Sequence, residues 1–243
     1  MPEIKKTGER LAKRIARAGI CSRRDAEALI EAGRVTVNGK QVKTPAFNVA
    51  ENDAIKVDGN LLAAKEPARL WLYHKPTGLV TTHRDEKGRP TVFDHLPKGM
   101  PRVISVGRLD LNSEGLLLLT NDGELARKLE LPATGWIRRY RARVFGAITP
   151  AMLAQMKKGV KVEGVQYGSV NATIDSQKKD NQWLTVALTE GKNREIRKIF
   201  EHFGCKVSRL IRLSYGPFQL GSLPRGEVKE VSGKVLGSFM PRD

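Results

Sequence analysis

The sequence predicts an α+β protein with two domains. A small helix-helix-hairpin domain is expected at residues 9–64, and a larger domain with a mainly antiparallel mixed sheet at residues 68–243. Three observations support this. Two short helical patterns precede an Asn-Gly pair between strand-like runs. A polar stretch containing Pro67 then interrupts the pattern. Beyond it, strand and helix patterns alternate irregularly with short links, which disfavours a doubly wound fold.

The charge balance indicates a polyanionic partner. Lys and Arg number 43 against 26 Asp and Glu, which gives a net charge of +17 over 243 residues. Nucleic acid is the first expectation and an anionic membrane surface is the rival. No apolar run approaches the ~18 residues of a spanning helix, and residues 1–13 are polar rather than signal-like. We therefore expect a cytoplasmic protein without membrane association.

The first domain can be followed element by element. Apolar side chains at helical spacing predict a first helix that stops at Gly19. Ser22 and Asp25 form a capping box that starts a second helix, which ends at Gly33. Strand-like runs flank Asn38-Gly39, which predicts a hairpin, and a further strand is expected at residues 54–57.

Basic residues are concentrated in this domain. Its pattern resembles the S4 RNA-binding domain over residues 9–57, through Ser22-Arg23-Arg24-Asp25, Ala32-Gly33-Arg34-Val35 and Asn38-Gly39. The resemblance implies RNA contacts by Arg14, Arg23 and Arg24. Arg23 and Arg24 are expected at the start of the second helix, where main-chain amides can also approach phosphates. The alternative is that these arginines form an ordinary solvated helix face.

The second domain is predicted as a series of strands and helices. The expected strands lie at residues 70–73, 79–82, 103–106, 116–120, 140–144, 170–174, 183–188 and 207–214. Three helices are expected, from Asp122 to before Pro132, from Thr149 to residue 158, and over residues 193–203. A loop is expected at residues 221–227, followed by a short helix or tail.

Asp110 follows the buried strand at residues 103–106, at the point where the chain turns. Turns after strands often carry reactive side chains, although an aspartate there is commonly structural. The sequence contains no G-x-G-x-x-G, Walker, H-E-x-x-H or G-x-S-x-G motif, and its four histidines are scattered. Cys21 and Cys205 are far apart and suggest neither a disulfide nor zinc. We therefore expect no cofactor and no metal.

Several separated motifs resemble the RsuA family of ribosomal RNA pseudouridine synthases, and within it the RluB branch. The resemblance spans nearly the whole chain. It is carried by Lys75-Pro76-x-Gly78, Gly88-Arg89-Pro90-Thr91-Val92, Gly107-Arg108-Leu109-Asp110-x-x-Ser113-x-Gly115-Leu116-Leu117, Gly191-Lys192-Asn193-Arg194-Glu195-Ile196-Arg197-Lys198 and Ser208-Arg209-Leu210-Ile211-Arg212.

The resemblance implies that a uridine in RNA is isomerised to pseudouridine without a cofactor. Asp110 would be the nucleophile, and Tyr140 would stack on the target base and accept a proton late in the reaction. Arg197 would pair with Asp110, and Arg194, three residues earlier on the same helix face, is the second choice. The target base must be extruded from its stack, and Arg108 would either fill the space it leaves or hold the flanking phosphate. Lys75 and Arg194 are further predicted RNA contacts.

Three alternatives stay open. The implied partner is 23S ribosomal RNA or a large-subunit assembly intermediate, bound by a monomer, but small-subunit 16S RNA is the closest alternative. A non-catalytic RNA-binding or ribosome-assembly factor could share the fold. A hydrolase would need a second carboxylate near Asp110, and Glu114, expected in a turn, is the near neighbour.

Overall fold

The computed structural model describes residues 8–64, 66–131, 134–178 and 180–237. These residues form two compact units. The first comprises the described residues up to Ala68 together with Pro101–Ile104 and Asn121–Gly123. The second comprises Arg69–Met100, Ser105–Thr120 and the described residues from Glu124 onward. Lys65 of the expected linker and Pro132 after the third helix lie outside the described residues.

Two helices open the first unit: α1 at Leu11–Arg17 and α2 at Arg23–Glu31. The capping box predicted before α2 is confirmed, because the amide of Asp25 donates to Oγ of Ser22 at 3.1 Å and the amide of Ser22 donates to Oδ2 of Asp25 at 3.3 Å. These bonds satisfy amides that the first turn of a helix leaves unpaired, so α2 begins at a defined residue.

Six short strands accompany these helices: β1 (Glu9–Arg10), β2 (Val35–Val37), β3 (Lys40–Val42), β4 (Asn48–Val49), β5 (Ile55–Val57) and β6 (Asn60–Leu61). β1 pairs with β4, and the other four form a sheet in the order β3-β2-β5-β6. The predicted hairpin is confirmed, since Asn38 and Gly39 both have positive φ, at 50° and 78°. Leu11, Ile15, Ile30 and Val35 lie in the core of this unit with no exposed surface.

The remaining strands are β7 (Leu70–Lys75), β8 (Ile104–Val106), β9 (Glu114–Thr120), β10 (Arg138–Phe145), β11 (Lys161–Val162), β12 (Val165–Gln166), β13 (Val170–Lys178), β14 (Asn181–Leu188), β15 (Lys206–Tyr215), β16 (Phe218–Gln219) and β17 (Val228–Glu230). The remaining helices are α3 (Gly123–Glu130), α4 (Pro150–Lys158), α5 (Glu195–His202), α6 (Gly233–Gly237) and a 3-10 turn at Phe93–His95. Within the described residues, none of these helices has the length and apolar character needed to cross a bilayer.

Nine of these strands form one sheet. The main path runs β13-β14-β10-β15-β9-β7-β17, with β16 added to β15 and β8 to β9. The β15-β9 pair is parallel, whereas the other pairs along the main path are antiparallel. The predicted mixed, mainly antiparallel sheet is therefore confirmed. Along β10, buried residues alternate with exposed ones, so the two faces of this strand meet different surroundings.

The structure departs from the predicted elements at two points that bear on the site. The strand expected at residues 79–82 is reduced to a single bridge between Val80 and Thr91. Thr81 and Thr82 instead donate their hydroxyl protons to loop carbonyls, of Leu109 and Arg84, both at 2.9 Å. The threonines that favoured a strand thus stabilise a loop. The other error concerns α5, which begins at Glu195 rather than at residue 193, because residue 194 is in the left-handed conformation.

Candidate active site

The turn that carries Asp110 lies between β8 and β9. A buried lysine, Lys75 at the end of β7, holds this turn from inside the sheet. Its Nζ donates to the main-chain oxygens of Asp110 at 3.1 Å, Ser113 at 2.9 Å and Pro76 at 3.0 Å. The amide of Ser113 closes the turn by donating to the oxygen of Asp110 at 3.0 Å. The main chain of the turn is therefore fixed, while the half-buried carboxylate of Asp110 is bound by no side chain among the described residues.

Lys75 was predicted to contact RNA, and that prediction is wrong. The residue has no exposed surface, and its ammonium group is occupied by carbonyl oxygens. Burial lowers the pKa of Lys75 to about 8, although the negative charges of Asp110 and Glu114 act in the opposite direction. Lys75 therefore positions the turn rather than the nucleic acid.

Arg197 holds the same turn from the side of α5. Its Nη2 donates to the main-chain oxygen of Asn112 at 2.9 Å, and its Nη1 donates to that of Val207 at 2.7 Å. The residue is 7% exposed, and burial lowers its pKa while the charge of Asp110 opposes that effect. The ion pair predicted between Arg197 and Asp110 is not formed within 4 Å in the described part of the chain. Arg197 instead binds the main chain two residues beyond the carboxylate.

Tyr140 lies in the middle of β10, 8% exposed. It is paired directly opposite Arg212 of β15, and side chains of directly opposite residues project from the same face of a sheet. Of the four arginines that surround Tyr140 in sequence, Arg138 shares its face. The other three, Arg139, Arg141 and Arg143, lie on the opposite face because the period of a strand is two residues.

Asp110 and Tyr140 line one cleft in the second unit. Its volume is about 730 Å³, within the range of sites that enclose a small molecule or a nucleotide. Arg108, Arg138 and Arg194 also line it, whereas Arg197 lies behind the Asp110 turn. The structure thus brings the predicted nucleophile and the predicted tyrosine together in a basic cleft.

Close approach of two strands shapes this cleft. Gly115 of β9 has a φ of +105°, and a Cβ there would lie 2.3 Å from the main-chain oxygen of Arg212 on β15. Only glycine allows the two backbones to come this close. The parallel β9-β15 pair therefore depends on Gly115, and it places the segment after Asp110 beside Arg212.

Arg138, Arg212 and Tyr215 line the cleft, and none of them had an assigned role in the sequence analysis. The guanidinium carbons of Arg138 and Arg212 lie 4.7 and 5.2 Å from the ring centroid of Tyr215. The hydroxyl of Tyr215 donates to the oxygen of Leu129 at 3.0 Å. Ser208-Arg209-Leu210-Ile211-Arg212 had been singled out as a motif, but only the register with Tyr140 shows which of its arginines faces the cleft.

Arg212 is the notable member of this group, because it is 3% exposed. Its Nε donates to the oxygen of Leu116 at 2.7 Å, while its Nη2 is buried without a partner. No carboxylate lies within ion-pairing distance of Arg212 in the described part of the chain. A buried cation with an unused donor is costly unless an anion or a carbonyl group binds there.

Two carboxylates near the turn behave differently. Glu114 was expected in a turn, but it is a buried residue of β9 that forms ion pairs with Arg209 and Arg225. It is therefore not available as a second acid beside Asp110. Glu195 does line the cleft, and burial raises the pKa of its carboxyl group. Its Oε2 accepts from the amide of Lys192 at 2.9 Å, which holds the start of α5.

Arg108 and Arg194, the two cleft residues that were predicted to contact RNA, lie in irregular backbone. Arg108 is exposed in the turn before Asp110. Arg194 has a φ of +51° and precedes α5, so the prediction that it shares a helix face with Arg197 is wrong. Its Nη2 lies 3.9 Å from Oε1 of Glu201, near the solvent. Both residues line the cleft, and their contacts with RNA stay predictions.

In the first unit, Arg23 and Arg24 lie exposed at the first two positions of α2, as expected. Arg14 is different. Its Nη2 donates to the oxygen of Glu51 at 2.9 Å, and its Nη1 lies 3.9 Å from the carboxylate of Glu9. Arg14 is thus partly committed to its own unit. No cluster of three or more His, Cys, Asp or Glu side chains suited to a metal lies among the described residues.

Comparisons with known proteins found matches to both parts of the chain. The profile of the RNA pseudouridylate synthase family matches residues 69–202, and that of the S4 domain matches residues 9–55. An RNA pseudouridine synthase of Rickettsia felis, described as uncharacterized, is 50% identical over 228 residues, which cover 94% of this chain and 99% of that protein.

Ribosomal large subunit pseudouridine synthase B of Yersinia pestis is 45% identical over 235 residues, which cover 94% of this chain and 74% of that protein. A crystal structure of a pseudouridylate synthase is 24% identical with a TM-score of 0.68, covering 96% of this chain and 100% of that one. This last likeness concerns the fold.

Proposed function

Because this chain belongs to the RNA pseudouridylate synthase family, we propose that it converts a uridine of ribosomal RNA to pseudouridine, with Asp110 as nucleophile. The similarity to the large-subunit enzyme of Yersinia pestis favours 23S RNA, in free form or in an assembly intermediate. We further propose that the protein works in the cytoplasm as a monomer.

One observation carries the assignment of Asp110. Its carboxylate is half-buried at a cleft and is bound by no side chain among the described residues, while two buried cations hold the main chain of its turn. A carboxylate that served the fold would itself be hydrogen-bonded or ion-paired. One with a fixed backbone and unengaged oxygens is prepared to attack a bound nucleotide.

In the reaction, the bond between N1 of uracil and C1′ of ribose breaks and the Asp110 carboxylate forms a covalent bond to the nucleotide. The uracil turns, C5 bonds to C1′, and the bond to Asp110 is broken again, which restores the free carboxylate. C5 then loses its proton while N1 gains one. The product has the same atoms as the substrate and no other reactant is consumed, so no cofactor is required. Tyr140 stacks on the base and accepts the C5 proton, and Arg197 keeps the turn in place.

Arg212 supplies a contact that the substrate completes. Its buried Nη2 has no partner, and it lies opposite Tyr140 across the strand pair. We assign it to an anionic or carbonyl oxygen of the extruded nucleotide, because either group would satisfy the unused donor. Arg108 fills the space left in the RNA stack, and Arg194 contacts the flanking backbone.

We propose two domains, an S4-like RNA-binding domain at residues 9–64 and a catalytic domain at residues 68–243. The match of the S4 profile to residues 9–55 supports this division. Arg23 and Arg24 are the preferred phosphate contacts, since they are exposed beside the amides at the start of α2. Arg14 is only partly ion-paired, and its remaining positive charge contributes to the attraction of RNA.

The test is to map pseudouridines in ribosomal RNA from cells with and without the gene, and then to treat unmodified 23S and 16S transcripts with the purified protein. We expect one or a few sites in 23S RNA to depend on the gene and to be restored in vitro. Sites in 16S RNA would redirect the substrate assignment. Absence of pseudouridine formation, with RNA binding retained, would indicate a non-catalytic assembly factor instead.

A further inference from the structure

The catalytic cleft leaves three arginines of β10 unexplained. Arg139, Arg141 and Arg143 are exposed, and they lie on the face of the sheet opposite Tyr140. Substrate in the cleft cannot reach them without passing around the sheet. Nor do they serve the fold through ion pairs, since none of the three has a carboxylate within 4 Å in the described part of the chain.

Neighbouring strands extend this patch. In register, Arg143 lies between Trp183 of β14 and Arg209 of β15. We call Arg139, Arg141, Arg143, Trp183 and Arg209 the arginine face. The guanidinium carbon of Arg141 lies 4.8 Å from the centroid of the Trp183 ring, and that of Arg209 lies 5.9 Å from it.

Contact with the Trp183 ring leaves the N–H donors of Arg141 unused, because those donors lie in the guanidinium plane and point outward at its edge, whereas Nε of Arg209 already donates to Glu114. Arg209 is further held by its ion pair with Glu114. The arginine face therefore contains two oriented guanidinium groups beside two that are unpaired. This is an arrangement suited to phosphate oxygens.

The charge of this surface indicates what binds there. Residues two apart on a strand lie about 7 Å from each other, so three like charges in a row repel in the absence of an anion. The exposed carboxylate of Asp175 on β13 accepts a hydrogen bond from Thr185, the residue paired with Arg141, at 3.0 Å. A polyanion would relieve the repulsion, whereas a neutral or apolar partner would not.

We propose that the arginine face is a second RNA-binding surface, which binds the phosphodiester backbone of a helical RNA segment remote from the target uridine. The proposal rests on the proposed function, because it takes ribosomal RNA as the substrate. Contact is made through phosphates rather than bases, since arginines already occupy the Trp183 ring. Binding is therefore independent of base sequence.

The test compares two triple variants of the full chain with equal loss of charge. One is Arg139→Gln, Arg141→Gln and Arg143→Gln. The matched control is Lys157→Gln, Lys158→Gln and Lys161→Gln, which removes three exposed lysines of α4 and β11. The probe is a duplex of about 20 G·C pairs, which contains no uridine and so reports phosphate binding apart from catalysis.

We expect the arginine variant to bind the duplex about tenfold more weakly at about 0.1 M salt, with a slope of log Kd against log salt lower by about 2. The lysine variant should change less than about threefold. Equal effects of the two variants would overturn the proposal, and so would unchanged binding by the arginine variant, which would leave an acidic protein as partner.

Thermal unfolding of both variants tests whether the fold is intact. If the triple arginine variant does not fold, the single Arg141→Gln variant is used in its place. The proposed function is read separately, as pseudouridine formed in 23S RNA by the unmodified protein. If no pseudouridine formed while the arginine variant still lost duplex binding, the proposed function alone would fail.

Discussion

Lys75 binds Asp110 through the main chain alone: its Nζ lies 3.1 Å from the carbonyl oxygen of Asp110, while the carboxylate is left unengaged by any described side chain. Arg197 also binds this turn through the main chain, by donating a hydrogen bond to the carbonyl oxygen of Asn112. Two buried cations thus fix a backbone and leave the carboxylate of the proposed nucleophile unbound by any described side chain. Orientation and reactivity are supplied by different atoms of one residue.

Asp110→Asn should abolish pseudouridine formation, because an amide of equal size has neither the negative charge nor the nucleophilicity of a carboxylate. RNA affinity should change by less than about tenfold, and thermal unfolding should be nearly unchanged, since no described side chain binds the Asp110 carboxylate. Substantial turnover by a stable Asp110→Asn protein would contradict the mechanism, and a large loss of stability would make Asp110 a structural residue.

Tyr140→Phe should keep the ring that we propose stacks on the base and lose the oxygen that we propose accepts the proton. We expect kcat to fall by about a hundredfold or more with KM almost unchanged. Single-turnover kinetics on a 23S transcript measure this, with Tyr73→Phe as a control for loss of another buried hydroxyl. An effect confined to KM would assign Tyr140 to binding.

Arg212→Gln should raise KM about tenfold or more, because the buried donor that we assign to the extruded nucleotide is lost. Arg225→Gln is the matched control, since Arg225 is an exposed arginine that pairs with Glu114 outside the cleft. Equal kinetics for the two variants would remove Arg212 from substrate binding. Activity that recovers with Arg212→Lys would show that charge alone is needed.

Lys75→Met should destabilise the protein by about 2–4 kcal/mol, because three carbonyl oxygens of a buried turn lose their donor. It should also lower kcat, since the turn is no longer fixed. Urea unfolding and single-turnover kinetics measure the two effects. Unchanged stability would mean that water replaces the ammonium group.

The lowered pKa of Lys75 predicts that the stability of the protein depends on pH. Its pKa is about 8 in the folded protein against an ordinary value of 10.5, so between these values the unfolded chain binds more protons. The contribution of Lys75 to the free energy of unfolding should therefore rise from pH 8 to pH 10.5 and be lost as pH falls through 8. Comparison with Lys75→Met isolates this slope, which the variant should lack. Equal slopes in both proteins would contradict the shifted pKa.

Gly115→Ala should destabilise by about 3 kcal/mol or more, because its Cβ would meet the main chain of Arg212 at 2.3 Å. Gly107→Ala is the control. Gly107 also has a positive φ, of 67°, but a Cβ there would have nothing within 4 Å, so about 1 kcal/mol is expected. Similar losses in both variants would show that conformation, not contact between β9 and β15, is what requires glycine.

Elements that are determined by neighbouring residues were predicted best from the sequence. The capping box at Ser22 and the turn at Asn38-Gly39 are set by neighbouring residues, and both appear as predicted. Asp110 and Tyr140 could be placed in one site through motifs that resemble a known family. The sequence positions of Asp110 and Tyr140 do not by themselves show that the two residues share a site.

The wrong predictions concern residues whose partners and burial are set by contacts between segments distant in sequence. Lys75 looked like a surface cation, but the sheet buries it and turns its charge toward main-chain oxygens. The partners of Arg197 come from Asn112 and Val207, which no local pattern connects. Arg212 could be assigned to the cleft only once the register of β15 against β10 was known, because a shift of one residue would have directed it to the other face.

The alternation along β10 has a consequence for how this protein can vary. One strand supplies both the cleft, through Arg138 and Tyr140, and the arginine face, through its odd-numbered arginines. Substitutions can alter either surface by itself. Insertion or deletion of one residue within β10 would exchange the two sets, placing charged side chains in the core and the tyrosine in solvent. The length of this strand is therefore under a stricter constraint than the identity of any single exposed residue in it.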